Sequence, residues 1–170
     1  YNGEIPEEYL LKSGDLLVVM TDLVNTAPVL GGAFFIPKDG QYLHNQRLGL
    51  VTIKDNSLNK NFLYYTLNSY NYRAQVRGSA SGATVRHTSP DRIKNCKINL
   101  PIKYETQHKI GLILKNYDAL IANNKRRITL LEESARLLYC EWFVSPNQKI
   151  TTKPLNEIAN LTMGQSPSSK

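Results

Sequence analysis

Between Ile110 and Trp142 one set of positions recurs without a break. It runs Ile110, Leu114, Tyr117, Ile121, Asn124, Ile128, Leu131, Ala135, Leu138 and Trp142, in alternating steps of four and three. A mean step of 3.5 residues keeps one narrow stripe of a helix facing one way, whereas a strand needs a period of two. No Pro interrupts Lys103 to Val144, so the pattern predicts one helix over 103–144. At 1.5 Å per residue it would be roughly 55 Å long, longer than a small domain is wide. Two readings fit such a helix: a coiled-coil arm that needs a partner helix, or a long core helix. The narrowness of the stripe and its charged flanks, Lys125, Arg126, Arg127, Glu132, Glu133 and Arg136, favour the arm.

Residues 1–102 read as mixed α/β, which makes the whole chain α+β. A Ser13-Gly14-Asp15 turn precedes an apolar strand over Leu16–Met20. Further strands are expected over Ala33–Ile36, which Pro37 stops, and over Leu48–Ile53, rich in β-branched residues. Phe62, Leu63, Thr66, Leu67 and Tyr70 recur at three and four, predicting one helix from about Lys60 to Val76. Ile93 marks a short helical turn, and Cys-Lys-Ile-Asn-Leu-Pro over 96–101 a closing strand. Beyond the long helix, 145–154 reads as a polar linker with a Pro near each end, and 155–170 as the start of something new.

The formal net charge is +7, which suits a polyanionic partner or simply a basic surface. The charge is uneven. Between Tyr72 and Lys97 stand Arg73, Arg77, Arg86, Arg92, Lys94 and Lys97 against a single acid, Asp91. Ser79, Thr84 and His87 lie in the same window, with Gly78 and Gly82. Long cations give charge, hydroxyls and exposed amides give position, and phosphate binding uses both. The candidate DNA-binding residues are therefore Arg73, Arg77, Ser79, Thr84, Arg86 and His87. The bland alternative is a solvated basic connector between helix and strand.

Catalytic patterns are missing. There is no phosphate-binding lysine loop, no nucleophile elbow and no His-Glu-x-x-His. His44, His87 and His108 are far apart, and Cys96 and Cys140 are too few for a disulfide framework or zinc site. Binding is thus expected rather than turnover, with no metal and no cofactor, and with free thiols that suit a reducing, cytoplasmic setting. No apolar run reaches the roughly 18 residues of a membrane span, and no secretory leader is read. The start at Tyr1 and the end in Gly-Gln-Ser-Pro-Ser-Ser-Lys lead to the expectation of a fragment or processed piece.

These residues resemble a family. Gly-Asp-Leu-Leu-Val at 14–18, Asn45-Gln46, Gly78-Ser79, Ile-Lys-Asn-Cys-Lys-Ile-Asn-Leu-Pro at 93–101 and the helix over 105–143 resemble the specificity subunit of type I restriction–modification enzymes. The helix carries most of the likeness, through Glu105-Thr106-Gln107, Asp118, Ile121 and the closing Leu138-Tyr139-Cys140-Glu141-Trp142-Phe143. Leu155-x-x-Ile158 and Gly164-x-Ser166-Pro167 resemble the opening of a second recognition domain. The resemblance implies the later part of a target-recognition domain over 1–102, a conserved coiled-coil helix over 103–144, the linker, and the first residues of a second domain over 155–170. It implies reading of half a split site on double-stranded DNA and pairing with a second coiled-coil helix of the same or another specificity chain. Methyltransferase subunits would dock on the helices and a restriction subunit would join the complex, with every active site on those other subunits. The runner-up reading is a coiled-coil interaction protein with no nucleic-acid role.

Overall fold

Leu16, Leu17 and Val18 are at most 1% exposed, so the first strand is covered on both faces. The computed structural model describes residues 6–145 and 151–165. Its strands are β1 (Leu16–Val19), β2 (Thr21–Asp22), β3 (Ala33–Phe35), β4 (Leu48–Leu50) and β5 (Arg86–His87). The helices are α1 (Lys60–Leu67), α2 (Tyr70–Gly78), α3 (Pro90–Lys94), α4 (Tyr104–Tyr139) and α5 (Leu155–Ile158). The chain packs as two units, one within 1–120 and one within 121–170.

In the first unit β1 is the middle strand of an antiparallel sheet in the order β3-β1-β4. Alternate side chains point to opposite faces of a strand. Leu16 and Val18 accordingly join Ala27, Leu30, Ala33, Leu63, Leu67, Tyr72 and Val76 in the main core, while Leu17 packs on the other face with Leu11 and Ile36. A two-sided environment explains why the strand reads as an unbroken apolar run rather than an alternation.

The single helix expected over Lys60–Val76 is two, α1 and α2. The break lies at Asn68-Ser69, where the sheet edge takes the asparagine. Asn68 Oδ1 accepts from the Ala33 N–H at 3.0 Å, and its Nδ2 donates to the Ala33 carbonyl at 3.0 Å. Ser69 then caps α2 by accepting from the Tyr72 N–H. The expected closing strand over 96–101 has no ladder; Gln75 of α2 holds it instead, accepting from the Lys97 N–H and donating to the Lys97 carbonyl, both at 2.9 Å. In both places a side-chain amide supplies the two bonds that a neighbouring strand would otherwise make.

A third amide ties α1 to the start of α4. Gln107 is 3% exposed. Its Oε1 accepts from the Asn59 N–H at 2.9 Å, and its Nε2 donates to the Pro101 carbonyl at 2.9 Å. Asn59 in turn caps α1 through the Phe62 N–H at 3.0 Å and donates to the Tyr104 hydroxyl at 3.2 Å. One turn on, Gly111 is buried, and a Cβ there would lie 3.0 Å from Phe62 N and 3.1 Å from Asn61 Cβ. Two turns further the Tyr65 hydroxyl donates to Asp118 at 2.7 Å. The face of α4 carrying Gln107, Gly111 and Asp118 borders the heptad stripe, Gln107 standing in heptad register with Leu114 and Ile121. Within this unit the stripe stays open: Ile110 is partly covered, Leu114 is 36% exposed and Tyr117 62%.

In the second unit the rest of α4 runs to Tyr139, followed by a π-helical turn over Cys140–Val144 and the short α5. None of its described residues is buried. Stripe residues Ile121, Ile128, Leu131, Leu138 and Trp142 are 47–67% exposed, and Asn124 and Ala135 are exposed with them. An exposed stripe with a 3.5-residue repeat is the surface that a second helix covers in a coiled coil. Half of the linker expected over 145–154, residues 146–150, and Ser166-Pro167 of the tail motif lie outside the described residues.

Candidate nucleic-acid interface

The basic window lies at a two-stranded antiparallel ladder that sequence inspection reads only as loop. β2 pairs with β5 in the register Thr21↔His87 and Asp22↔Arg86. The chain then doubles back on itself, with Ser81 N–H to His87 O at 2.9 Å and His87 N–H to Ser81 O at 2.8 Å. Gly82 makes that reversal possible. Its φ is +93°, and a Cβ there would fall 1.9 Å from the Val85 carbonyl oxygen, so no other residue fits the loop as built. At Gly78 the φ is not in the left-handed range and a Cβ would meet open space.

The six candidate residues divide by what their side chains touch. The Arg86 guanidinium donates to the carbonyls of Gly82 at 3.2 Å, Arg77 at 3.1 Å and Ala80 at 3.4 Å. It thereby holds the loop against the C-terminal end of α2, where free carbonyls favour a cation. Ser79 caps the same end, donating to the Val76 carbonyl at 3.1 Å. Arg73 donates to the Pro28 carbonyl. Both arginines bury an Nε with no partner among the described residues. His87 is exposed, with Nδ1 3.1 Å from the Thr21 hydroxyl. Arg77, half-buried, and Thr84, exposed, have no side-chain partner among the described residues. Arg73, Ser79 and Arg86 thus bond backbone carbonyls, whereas Arg77 and Thr84 have no side-chain partner among the described residues and His87 is exposed beside Thr21.

The ladder itself contains a residue that sequence inspection passes over. Asp22 is 3% exposed. It accepts the Val24 N–H on one carboxylate oxygen at 3.0 Å, and the Val29 and Leu30 N–H groups on the other at 2.7 and 3.1 Å. Burial pushes its pKa up, but the three backbone donors, with Arg73 nearby, outweigh that and hold it below the ordinary aspartate range. The only sequence signal is an acid shortly after an apolar strand, which is too common to single out.

Among the described residues no group of three His, Cys, Asp or Glu is placed to hold a metal. His44 bonds the Leu48 carbonyl at 2.8 Å, and His108 stacks on Tyr104. No helix of the described residues is long and apolar enough to cross a membrane.

These features define a build: a small α+β domain latched along the first turns of a long helix, with a pinned basic loop at a two-stranded ladder. The family model for the type I restriction modification DNA specificity domain matches residues 6–133. The chain belongs to that family. It is 27% identical over 138 residues to the type I restriction enzyme EcoBI specificity subunit of Escherichia coli, covering 81% of this chain and 26% of that protein. It is 27% identical over 143 residues to the MjaVIII specificity subunit of Methanocaldococcus jannaschii, covering 78% of this chain and 32% of that protein. The crystal structure of a type I restriction-modification S subunit from M. genitalium aligns with TM-score 0.56 over 75% of this chain and 32% of that one, at 18% identity, a likeness of fold. The chain thus spans about a quarter to a third of the length of these relatives.

Proposed function

We propose that this chain is the DNA-recognition part of a type I restriction–modification specificity subunit, with no catalytic role of its own. Residues 1–102 form the later part of a target-recognition domain that reads half of a split site on double-stranded DNA. Residues 103–144 are a spacer helix pairing antiparallel with a second such helix, of the same or another specificity chain. Residues 145–154 link it to the start of a second recognition domain over 155–170. Methyltransferase subunits dock on the helices, and the restriction subunit joins through the complex, in the cytoplasm.

The observation that carries the reading is the basic loop held in one shape by its own arginine, with Arg77 left without a partner beside it. Arg77, Thr84 and His87 are the proposed contacts; Arg73, Ser79 and Arg86 position them. Retention on duplex DNA, measured against salt, tests this. Arg77→Ala should flatten the log–log salt slope by about 0.9 for one lost phosphate contact. Arg86→Ala should lower affinity through a loosened loop. An unchanged slope and affinity in both variants would return the loop to a connector.

The exposed heptad stripe of α4 favours the second reading, a coiled-coil interaction protein that ignores DNA; salt-independent retention would select it. The stripe itself carries a separate prediction. In a two-fold pair of identical antiparallel helices centred on Arg126, Asn124 lies against the partner's Ile128, leaving its amide poorly satisfied at roughly 1–3 kcal/mol. Asn124→Ile should therefore strengthen self-association and loosen partner choice. Weaker dimerisation of the variant in sedimentation equilibrium would show the stripe assignment to be wrong.

A further inference from the structure

The segment between β2 and β3 is pinned from inside and apolar outside. Asp22 holds three of its backbone N–H groups, and Arg73 holds the Pro28 carbonyl. The base of the loop is closed by Gly31 N–H to Val19 O and Val19 N–H to Gly32 O, both 2.9 Å. Ala27 and Leu30 are at most 2% exposed and anchor it in the main core. Gly31, at φ +75°, is backed by Val76, so that a Cβ there would meet Val76 Cγ1 at 2.9 Å. Outside, Leu23 is 65%, Val24 49% and Val29 53% exposed, and Asn25 and Thr26 are exposed beside them.

One exposed aliphatic side chain is ordinary. Three on a single loop whose backbone is over-determined are not explained by the fold, because the loop's core contacts are made by Ala27 and Leu30. The loop itself has no acid, and the neighbouring Asp22 of β2 is buried, so the loop's outer surface carries no negative charge. The β2–β5 ladder runs straight from it into Arg86 and His87. A rigid, acid-free surface with aliphatic groups and one free amide, adjoining a basic loop, has a chemical counterpart. Thymine presents a 5-methyl group in the major groove, and adenine presents a donor and an acceptor that an asparagine amide matches.

We propose that the loop over 23–29 reads A·T pairs in the major groove, with Leu23, Val24 and Val29 against thymine methyls and Asn25 toward an adenine edge. This rests on the DNA-recognition function proposed above. The apolar groups would add affinity only where a methyl meets them, and the pinned backbone would keep the loop from adapting to other bases.

The test uses the full chain and randomised DNA duplexes, made with thymidine or with deoxyuridine, which lacks only the methyl. The wild type should select a site with at least one A·T pair. Deoxyuridine at that pair should weaken binding roughly fourfold per methyl. The exposed triple variant Leu23→Ser, Val24→Ser, Val29→Ser should abolish that difference while keeping the salt slope. Asn25→Ala should relax the preference for adenine. Equal wild-type affinity for both pools, with preference unchanged in Asn25→Ala, overturns the proposal but leaves DNA recognition standing. So does a triple variant that keeps the methyl discrimination and loses only a protein partner. Failure of every duplex to be retained removes both, and circular dichroism of each variant separates misfolding from lost contact.

Discussion

Asp22→Ala should destabilise the chain by about 3–5 kcal/mol, because it strips one buried acceptor from three backbone donors. The Val24, Val29 and Leu30 N–H groups all converge on this carboxylate; without it, the buried Leu30 N–H has no substitute and the part-buried Val24 and Val29 donors lose their shared anchor. Arg73 would also lose the nearby charge that the carboxylate provides. Against a typical stability of about 5–15 kcal/mol, that loss leaves a large unfolded fraction, readable as a lower urea midpoint. Asp22→Asn keeps one acceptor oxygen and should lie between the two. The pH dependence follows from the sign of the shift. The folded-state pKa is depressed, so the carboxylate's stabilisation is fully present above the unfolded value of about 3.9 and fades as pH falls through the lower folded value. The gap between wild type and Asp22→Asn should therefore be wide at neutral pH and close in acid. A gap that persists unchanged to the lowest accessible pH would show that the charge is not what matters.

Gln107→Leu should cost about 2–4 kcal/mol, since it leaves the Asn59 N–H and the Pro101 carbonyl without partners in a buried site while keeping similar bulk. Asn59 also begins α1, so the damage should reach the helix cap. Tyr65→Phe is the contrasting change. It removes one hydrogen bond to Asp118 on the same face of α4, but at an exposed position, where about 1 kcal/mol or less is expected because water replaces the partner. The ratio between the two variants, read from denaturant midpoints, is the informative quantity. Equal effects would mean that the buried amide is not the latch between domain and helix.

What the sequence by itself determined is what depends on local period and on punctuation. The long helix followed from an unbroken 3.5-residue repeat without Pro, and β1 from an apolar run after a Gly-Asp turn, because both signals lie within one element. The family likeness was legible for the same reason, since its most specific residues, Glu105 to Phe143, fall along a single helix. Tertiary structure decided whatever joins distant segments. The helix break at Asn68 exists because its amide completes the edge of β3, 35 residues away. The last expected strand is replaced by Gln75, 22 residues away. β5 is two residues long, and only its partner β2 makes it a strand. The candidate site was half legible. A cluster of arginines marks a basic surface, but charge does not reveal that Arg86 and Arg73 point at backbone carbonyls while Arg77 does not. Nor does an aspartate after a strand announce that it will hold a loop in place. Those roles depend on which donors surround a side chain once water has been removed, and only the packed chain sets that.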